Sequence, residues 1–123
     1  MTIQEVASKL VELCRQGQFE AAQKEFYTDQ TTSTEPDNSP GFKSVTGLDK
    51  IIEKGHQFQA MIEAVHSVSI SDPVIAGDWF SINLLMDVTL KGMGRVNMDE
   101  IAVYHVKNGK VMSEEFFYSP EKN

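Results

Sequence analysis

Apolar residues recur at helical spacing in the first half of the chain. Residues 3–15 carry apolar side chains every three or four positions with charged residues between them, which predicts an amphipathic helix. Gly17 ends this pattern, and a shorter one follows over residues 19–26. A third pattern opens at residue 46 or 47 and continues to residue 62. Three helices are therefore expected, the first two forming a hairpin.

The pattern changes to a period of two after residue 64, which predicts β-strands. Apolar side chains occupy every even position from 80 to 90. Turn-forming stretches interrupt this region at residues 72–73, 76–78, 91–94 and 107–109. Four strands joined as an antiparallel meander are therefore expected.

One further short strand is predicted between the second and third helices. The threonine-rich run 31–34 favours extended backbone, and Pro36 excludes Glu35 from the α region, so this strand should end at Glu35. The complete order predicts one α+β domain over residues 1–123. In it, a curved antiparallel sheet of one short strand plus the meander is covered by three N-terminal helices.

The last two strands carry carboxyl, tyrosine and methionine side chains on their even faces. These are Met98, Glu100, Ala102 and Tyr104 on one strand and Met112, Glu114, Phe116 and Tyr118 on the other. A three-residue loop at 107–109 pairs Tyr104 with Met112 and turns both even faces toward one shared cavity, which is the register we favour. A two-residue Asn-Gly turn would instead bring odd residues of the last strand beside Glu100.

The odd faces of the last three strands are apolar as well. They carry Trp79, Leu85, Ile101, Val103, Val111 and Phe117. A sheet face in contact with solvent is normally more polar than this, so we predict a homodimer through the outer face.

The charge and composition of the chain exclude several classes of binding partner. The chain of 123 residues has 18 acidic and 11 basic side chains, a formal charge of −7 that repels phosphate backbones and anionic lipids, so nucleic acid and membrane partners are not expected. No apolar stretch reaches the roughly 20 residues that span a bilayer, and residues 1–5 lack the basic start of a secretory signal, which predicts a cytoplasmic protein. Cys14, the single cysteine, is expected to pack in the first helix, and three scattered histidines predict no metal site.

The order of elements, and above all the ending from Tyr104 to Ser113, resembles the nuclear transport factor 2-like superfamily, with SnoaL-like cyclases and ketosteroid isomerases as the nearest branches. The Glu35-Pro36 pair and the run 47–51 that opens the third helix also match. The resemblance implies a cone-shaped sheet around a ligand pocket, and dimers that form through the outer sheet face.

The resemblance also implies particular site residues. Glu35 falls where the isomerases hold the carboxylate that moves a proton next to a carbonyl group. The tyrosine and acid of the isomerase oxyanion hole would fall near Leu10 and Ala102, neither of which donates a hydrogen bond. The histidine and aspartate on the last strand of many SnoaL-like proteins correspond to Glu114 and Phe116 here.

Three glutamates, Glu35, Glu100 and Glu114, are the candidate catalytic residues. An apolar wall raises the pKa of a carboxyl group, so one of them is expected to act as acid while a better solvated one acts as base, without a cofactor. The other interpretation is that these carboxyl groups reach solvent or pair with a tyrosine. The expected ligand contacts are Tyr104, Tyr118, Phe116, Phe58, Met86, Met98 and Met112.

Two functions remain open at this point. The first is a cofactor-independent lyase, isomerase or hydrolase that acts on an apolar carbonyl or epoxide compound. The second is a non-catalytic module that binds a hydrophobic ligand or forms a dimer. A small apolar or amphipathic molecule is the expected partner in the cavity.

Overall fold

The computed structural model describes residues 1–37, 39 and 42–119; the other positions of the predicted domain lie outside the described residues. The helices are α1 (Ile3–Arg15), α2 (Phe19–Phe26) and α3 (Leu48–Met61). The strands are β1 (Tyr27–Thr34), β2 (Val45–Thr46), β3 (Ile62–Ile70), β4 (Val74–Ala76), β5 (Trp79–Leu90), β6 (Gly94–Lys107) and β7 (Lys110–Phe117). This order confirms the α+β fold class and the three predicted helices. No helix in the described part of the chain has the length and apolar character needed to cross a membrane.

The strands β2 and β4 were not predicted. They have two and three residues, too few for a period of two to be recognised. The strand expected to end at Glu35 is present as β1, and it is longer than expected because it starts at Tyr27, directly after α2.

α1 begins at a complete capping box. The Glu5 backbone N–H donates to the Thr2 hydroxyl at 3.2 Å, and the Thr2 N–H donates to the Glu5 carboxylate at 2.9 Å, so two of the unpaired N–H groups at the helix start are satisfied. Gly17 then stops the helix with a φ of 77°, a conformation that favours glycine. The inward stripe of α1 includes Cys14, which is buried as expected.

The strands form one sheet in the order β2-β1-β7-β6-β5-β3, with β4 paired to β5. All these pairs are antiparallel except that of β1 with β7, which is parallel. The parallel pairing places β1 next to β7 in the sheet and brings Ser33 beside Glu114. The N-terminal strand therefore supplies side chains to the same inner face as the last two strands.

The register of the last hairpin differs from the one favoured from the sequence. Asn108 and Gly109 both have positive φ and form a two-residue turn, so Lys107 pairs with Lys110 rather than Tyr104 with Met112. A β-bulge then inserts one residue of β7, and Tyr104 pairs with Glu114. The predicted pairing was wrong by two residues. The even residues beyond the bulge still share one face, because the turn and the bulge each shift the register by one.

Three apolar side chains are half exposed on the outer face of the sheet. Trp79, Ile101 and Phe117 are 47%, 51% and 50% exposed. Val111, which was assigned to this face, is instead fully buried, because it lies before the bulge and faces inward with Val106. The Trp79 and His105 rings stack at 4.4 Å between centroids.

Candidate active site

The register of the sheet arranges its inward side chains in rows. The Tyr104 row is Phe80, Tyr104, Glu114 and Ser33; the floor row is Ile82, Ala102 and Phe116; the Glu100 row is Ile70, Leu84 and Glu100; and the methionine row is Val68, Met86 and Met98. Successive rows lie two residues apart along β6, a separation of about 7 Å. The Tyr104 row therefore contains most of the polar groups, and Glu100 is the one polar member of the three rows beyond it.

Most members of these rows line a cavity with a volume of about 500 Å³, a size typical of small-molecule sites; Ser33, Phe80 and Ala102 are not among its lining residues. A stripe of α3 lines it as well: Ile51, Lys54, Gly55, Phe58 and Gln59. This spacing of three and four residues places all five side chains on one helix face. The other lining residues are Cys14, Gly17, Phe19, Gln23, Tyr27, Glu35, Phe42, Ile62, Val65 and Tyr118 together with members of the four rows.

Glu35, one residue beyond β1, is held by hydrogen bonds at both oxygens. Lys54 Nζ donates to Oε2 and the Tyr118 hydroxyl donates to Oε1, each at 2.8 Å. The Lys54 and Glu35 side chains are only 13% and 8% exposed, so this ion pair is nearly enclosed. The Phe116 ring centroid lies 5.6 Å from Lys54 Nζ, within range of a cation–π interaction. We call Glu35, Lys54 and Tyr118 the Glu35 cluster.

Glu114 lies in the Tyr104 row and is buried. The Tyr27 hydroxyl donates to Oε1, and the Ser33 hydroxyl donates to Oε2 at 2.7 Å. Burial raises the pKa of Glu114, while these two hydrogen bonds and the charge of Lys54 lower it. Lys54 Nζ also donates to the Ser33 hydroxyl at 2.8 Å, so a continuous chain of hydrogen bonds joins Glu114 to the Glu35 cluster.

Glu100 differs from Glu35 and Glu114 in the hydrogen bonding of its carboxyl group. Its carboxyl group lines the cavity but forms no side-chain hydrogen bond with another residue in the described part of the chain. Burial raises the pKa of Glu100 to about 7, with further contributions from the charges of Glu35 and Glu114. A group with this pKa is present in both protonation states near neutral pH, which suits it to take up and return a proton.

The structure brings nearly all of the predicted site residues together. Glu35, Glu100, Glu114, Tyr104, Tyr118, Phe116, Phe58, Met86 and Met98 all line the cavity. Met112 does not, because it is itself the residue that the bulge inserts between Val111 and Ser113, where it has no partner on β6. The diagonal arrangement expected for Glu100 and Glu114 is not found, because Glu114 lies opposite Tyr104 instead of Ala102, so the two glutamates are two rows apart.

Sequence reasoning missed three polar residues of this site: Lys54, Tyr27 and Ser33. Lys54 had a recognisable signal, because a lysine three residues after Ile51 and four before Phe58 interrupts the apolar stripe of α3. Ser33 and Tyr27 had none, since their approach to Glu114 depends on the parallel pairing of β1 with β7. Within residues 1–37, 39 and 42–119, no group of three or more His, Cys, Asp or Glu side chains is arranged to hold a metal ion.

Solved structures with the same fold extend over nearly the whole chain. A proposed SnoaL-like polyketide cyclase of Mesorhizobium loti is 37% identical, with a TM-score of 0.88, over 96% of this chain and 100% of that one. A hypothetical protein of Catenulispora acidiphila with a ketosteroid isomerase-like fold, in complex with trimethylamine, is 20% identical, with a TM-score of 0.73, over 96% and 88%. TerC, co-crystallised with polyporic acid, is 13% identical, with a TM-score of 0.74, over 94% and 89%.

The comparison with curated proteins finds no match. The family model of the SnoaL-like domain, by contrast, matches residues 1–118, which include all seven strands, the three helices and every residue of the cavity. The cavity is thus the small-molecule-binding cone of this fold. On this evidence the chain belongs to the SnoaL-like domain family, within the nuclear transport factor 2-like superfamily.

Proposed function

We propose that this protein is a cofactor-independent lyase or isomerase that moves a proton next to the carbonyl group of a small, largely apolar compound. The observation that carries the proposal is Glu100, whose carboxyl group lines the cavity among apolar side chains, accepts no hydrogen bond from the described part of the chain and has a pKa raised to about 7. A base with a pKa near the working pH transfers protons most effectively.

The three glutamates have different roles in this proposal. Both oxygens of Glu35 already accept hydrogen bonds from Lys54 and Tyr118, whereas the Glu100 carboxyl group is free to meet a substrate, so Glu100 rather than Glu35 takes the proton. Glu35 and Glu114 hold Lys54 and the tyrosines in place. The apolar body of the compound lies against the methionine row, and the protonated form of Glu100 returns the proton at a second position. An epoxide compound is an alternative substrate: protonated Glu100 gives its proton to the ring oxygen while a water molecule adds to the ring carbon and releases a proton to solvent, which yields a diol.

A non-catalytic ligand-binding module is the second candidate. The positions of the two isomerase oxyanion donors are occupied by Leu10 and Ala102, which are 1% and 0% exposed and carry no polar group. TerC was crystallised with polyporic acid, which agrees with ligand binding in this fold but states nothing of catalysis.

Exchange of a carbon-bound proton for deuterium tests the catalytic proposal. 2-Tetralone, an apolar ketone with acidic hydrogens beside the carbonyl, is incubated with the protein in D2O and followed by proton NMR. We expect exchange faster than in buffer, rising with pH through about 7 as Glu100 ionises. E100Q should lower the protein-dependent rate by about 100-fold or more. E35Q should have a smaller effect.

E115Q is the matched control, because Glu115 lies next to Glu114 on the exposed side of β7. It should exchange like the wild type. An E100Q protein that binds 2-tetralone and exchanges it at the wild-type rate would exclude Glu100 as the base. Binding to the wild type without any acceleration of exchange would favour the non-catalytic candidate.

We also propose a homodimer through the outer sheet face. Trp79, Ile101 and Phe117 are each about half exposed there, an apolar patch typical of a protein interface. I101K should convert a dimer into a monomer in light scattering, whereas K107E, at an exposed position near the turn, should not. A monomeric wild type would refute this assembly. The single buried Cys14 accords with a reducing compartment, and we propose the cytoplasm.

A further inference from the structure

The wall of the cavity carries more carboxyl groups than ammonium groups. Among its described lining residues, the charged ones are Glu35, Lys54, Glu100 and Glu114. Lys54 is paired with Glu35 at 2.8 Å, and this nearly enclosed pair has no net charge. Glu114 accepts hydrogen bonds from two hydroxyl groups. The Glu100 carboxyl group is the one of these four that forms neither an ion pair nor a hydrogen bond with a described residue.

The surroundings of Glu100 are apolar. Leu84 lies opposite it on β5, and the adjacent methionine row is apolar as well. α3 contributes Phe58 to the same cavity, and the Phe58 ring meets that of Phe42 edge to face with centroids 5.5 Å apart. A carboxylate among such groups loses much of its hydration and gains no protein partner in return. A positive charge that arrives with a ligand supplies the missing partner.

Aromatic rings also suit the cavity to a cation. Besides Phe42 and Phe58, the rings that line it are those of Phe19, Tyr27, Tyr104, Phe116 and Tyr118. The face of an aromatic ring attracts an ammonium group, and Phe116 already lies 5.6 Å from the Lys54 ammonium. The walls therefore offer both a hydrocarbon surface and favourable electrostatics to one molecule that is apolar and positively charged.

The charge of a ligand decides how well it suits Glu100. An anion adds a like charge to a wall with three carboxyl groups. A neutral compound leaves the Glu100 carboxylate without a counter-charge. An ammonium ion both pairs with the carboxylate and donates a charge-assisted hydrogen bond to it. The lost hydration of the ammonium ion opposes binding, and burial of its hydrocarbon body offsets that cost.

We propose that the cavity binds hydrophobic amines in their ammonium form, with the ammonium N–H donating to the Glu100 carboxylate and the hydrocarbon body against the methionine row and Phe58. The inference goes beyond the proposed function, because it concerns binding and holds whether or not Glu100 transfers a proton. A bound amine occupies Glu100 and competes with a ketone for the same carboxyl group.

The test compares three compounds that share one hydrocarbon cage: 1-adamantylamine, 1-adamantanol and 1-adamantanecarboxylate. At pH 8.5 Glu100 is ionised, and the amine, with a pKa of about 10, is still charged. Isothermal titration calorimetry should show the amine binding at least tenfold more tightly than the alcohol, and the carboxylate binding most weakly. At pH 5.5 Glu100 is protonated, so amine binding should weaken about 30-fold while alcohol binding changes little.

The contribution of Glu100 must be separated from that of its neighbours. The titratable and charged groups around it are Glu35, Glu114, Lys54, Asp99, Tyr104 and Tyr118. E100Q should lose most of the preference for the amine and most of its pH dependence, and any remainder belongs to Glu114, whose pKa is also raised. E100Q should bind 1-adamantanol as the wild type does, which shows that the cavity is intact. E115Q is the matched control and should retain the preference.

Proton release provides a second measurement. At pH 6 most Glu100 side chains are protonated, so a bound amine displaces close to one proton for each site. The calorimetric enthalpy should then differ between two buffers of different ionisation enthalpy. 1-Adamantanol should release no proton, and the amine should release few from E100Q.

Several results would overturn the inference. These are alcohol or carboxylate binding that equals or exceeds amine binding at pH 8.5, amine binding of equal strength at both pH values, no amine binding at millimolar concentration, or an E100Q protein that keeps the preference for the amine. Failure of the proposed function gives a different result: the amine binds as expected, but 2-tetralone without amine shows no accelerated deuterium exchange.

Discussion

The Glu35 cluster and the Glu100 row contain the same functional group in opposite surroundings. Glu35 accepts hydrogen bonds from Lys54 and Tyr118 at both carboxylate oxygens, whereas the Glu100 carboxyl group faces the cavity, accepts no hydrogen bond from any described residue and has a pKa of about 7. Both glutamates line the same cavity, so the difference in their hydrogen bonding comes from the residues around them. An enclosed carboxylate with paired oxygens holds neighbouring groups in place, while an unpaired one is available to exchange a proton.

The difference has a structural origin. Glu35 follows β1, which lies between β2 and β7, and both α3 and the residue after β7 reach it. Glu100 lies within β6. Its partner across the sheet is the apolar Leu84, and the adjacent methionine row is apolar as well. Donors therefore surround the first carboxylate and are absent around the second within the described residues. Three substitutions test this comparison, in order of decreasing expected effect.

Removing the charge of Lys54 should have the largest effect. K54M leaves Glu35 and the Ser33 hydroxyl without their ammonium donor in a nearly enclosed site. We expect the free energy of unfolding to fall by about 3 kcal/mol, the usual scale for one broken partner of a buried pair. Urea unfolding measures this. The double variant E35Q/K54M should recover more than half of the loss; if K54M costs less than about 1 kcal/mol, the pair does not organise the site.

The raised pKa of Glu100 should make stability depend on pH. An unfolded glutamate has a pKa near its ordinary value of 4.5, and the folded one has a pKa of about 7, so folding favours the protonated form. Stability is therefore greatest below pH 4.5 for this group and falls as pH rises through 7. The full shift corresponds to about 3 kcal/mol, which the partial exposure of Glu100 reduces to about 2 kcal/mol. Glu114, whose pKa is also raised, contributes in the same direction.

Urea midpoints at pH 5 and pH 8 measure that dependence. E100Q should have a clearly smaller decrease between the two pH values than the wild type, because glutamine does not ionise. E115Q should retain the full decrease. Equal decreases in E100Q and the wild type would show that Glu100 is as well solvated as an ordinary surface glutamate.

Removing the Tyr27 hydroxyl should have the smallest effect of the three. Y27F takes one hydrogen bond from Glu114 and leaves that of Ser33. We expect a loss of about 1 kcal/mol in the free energy of unfolding and a further rise in the pKa of Glu114, since the lost bond stabilised the carboxylate. Carbon-13 NMR titration of the glutamate side chains measures the pKa. An unchanged pKa of Glu114 in Y27F would contradict the hydrogen bond.

Local pattern determined the elements and much of the cavity. The helical spacing of α1, α2 and α3 and the even positions of β5 predicted those elements because each period is a property of a few neighbouring residues. The same alternation placed Glu100, Tyr104, Met98 and Met86 on one face. A bulge that compensated the two-residue turn preserved the parity of Glu114, Phe116 and Tyr118.

What only the tertiary structure decided is which polar groups meet. The parallel pairing of β1 with β7 brings Ser33 and Tyr27 to Glu114, and the packing of α3 brings Lys54 to Glu35, across separations in sequence of 19 to 87 residues. The pKa of each carboxyl group depends on these contacts and on burial, not on the neighbouring sequence. The residues at the site were therefore predictable from strand alternation, but the division between paired and unpaired glutamates arises only when the chain is folded.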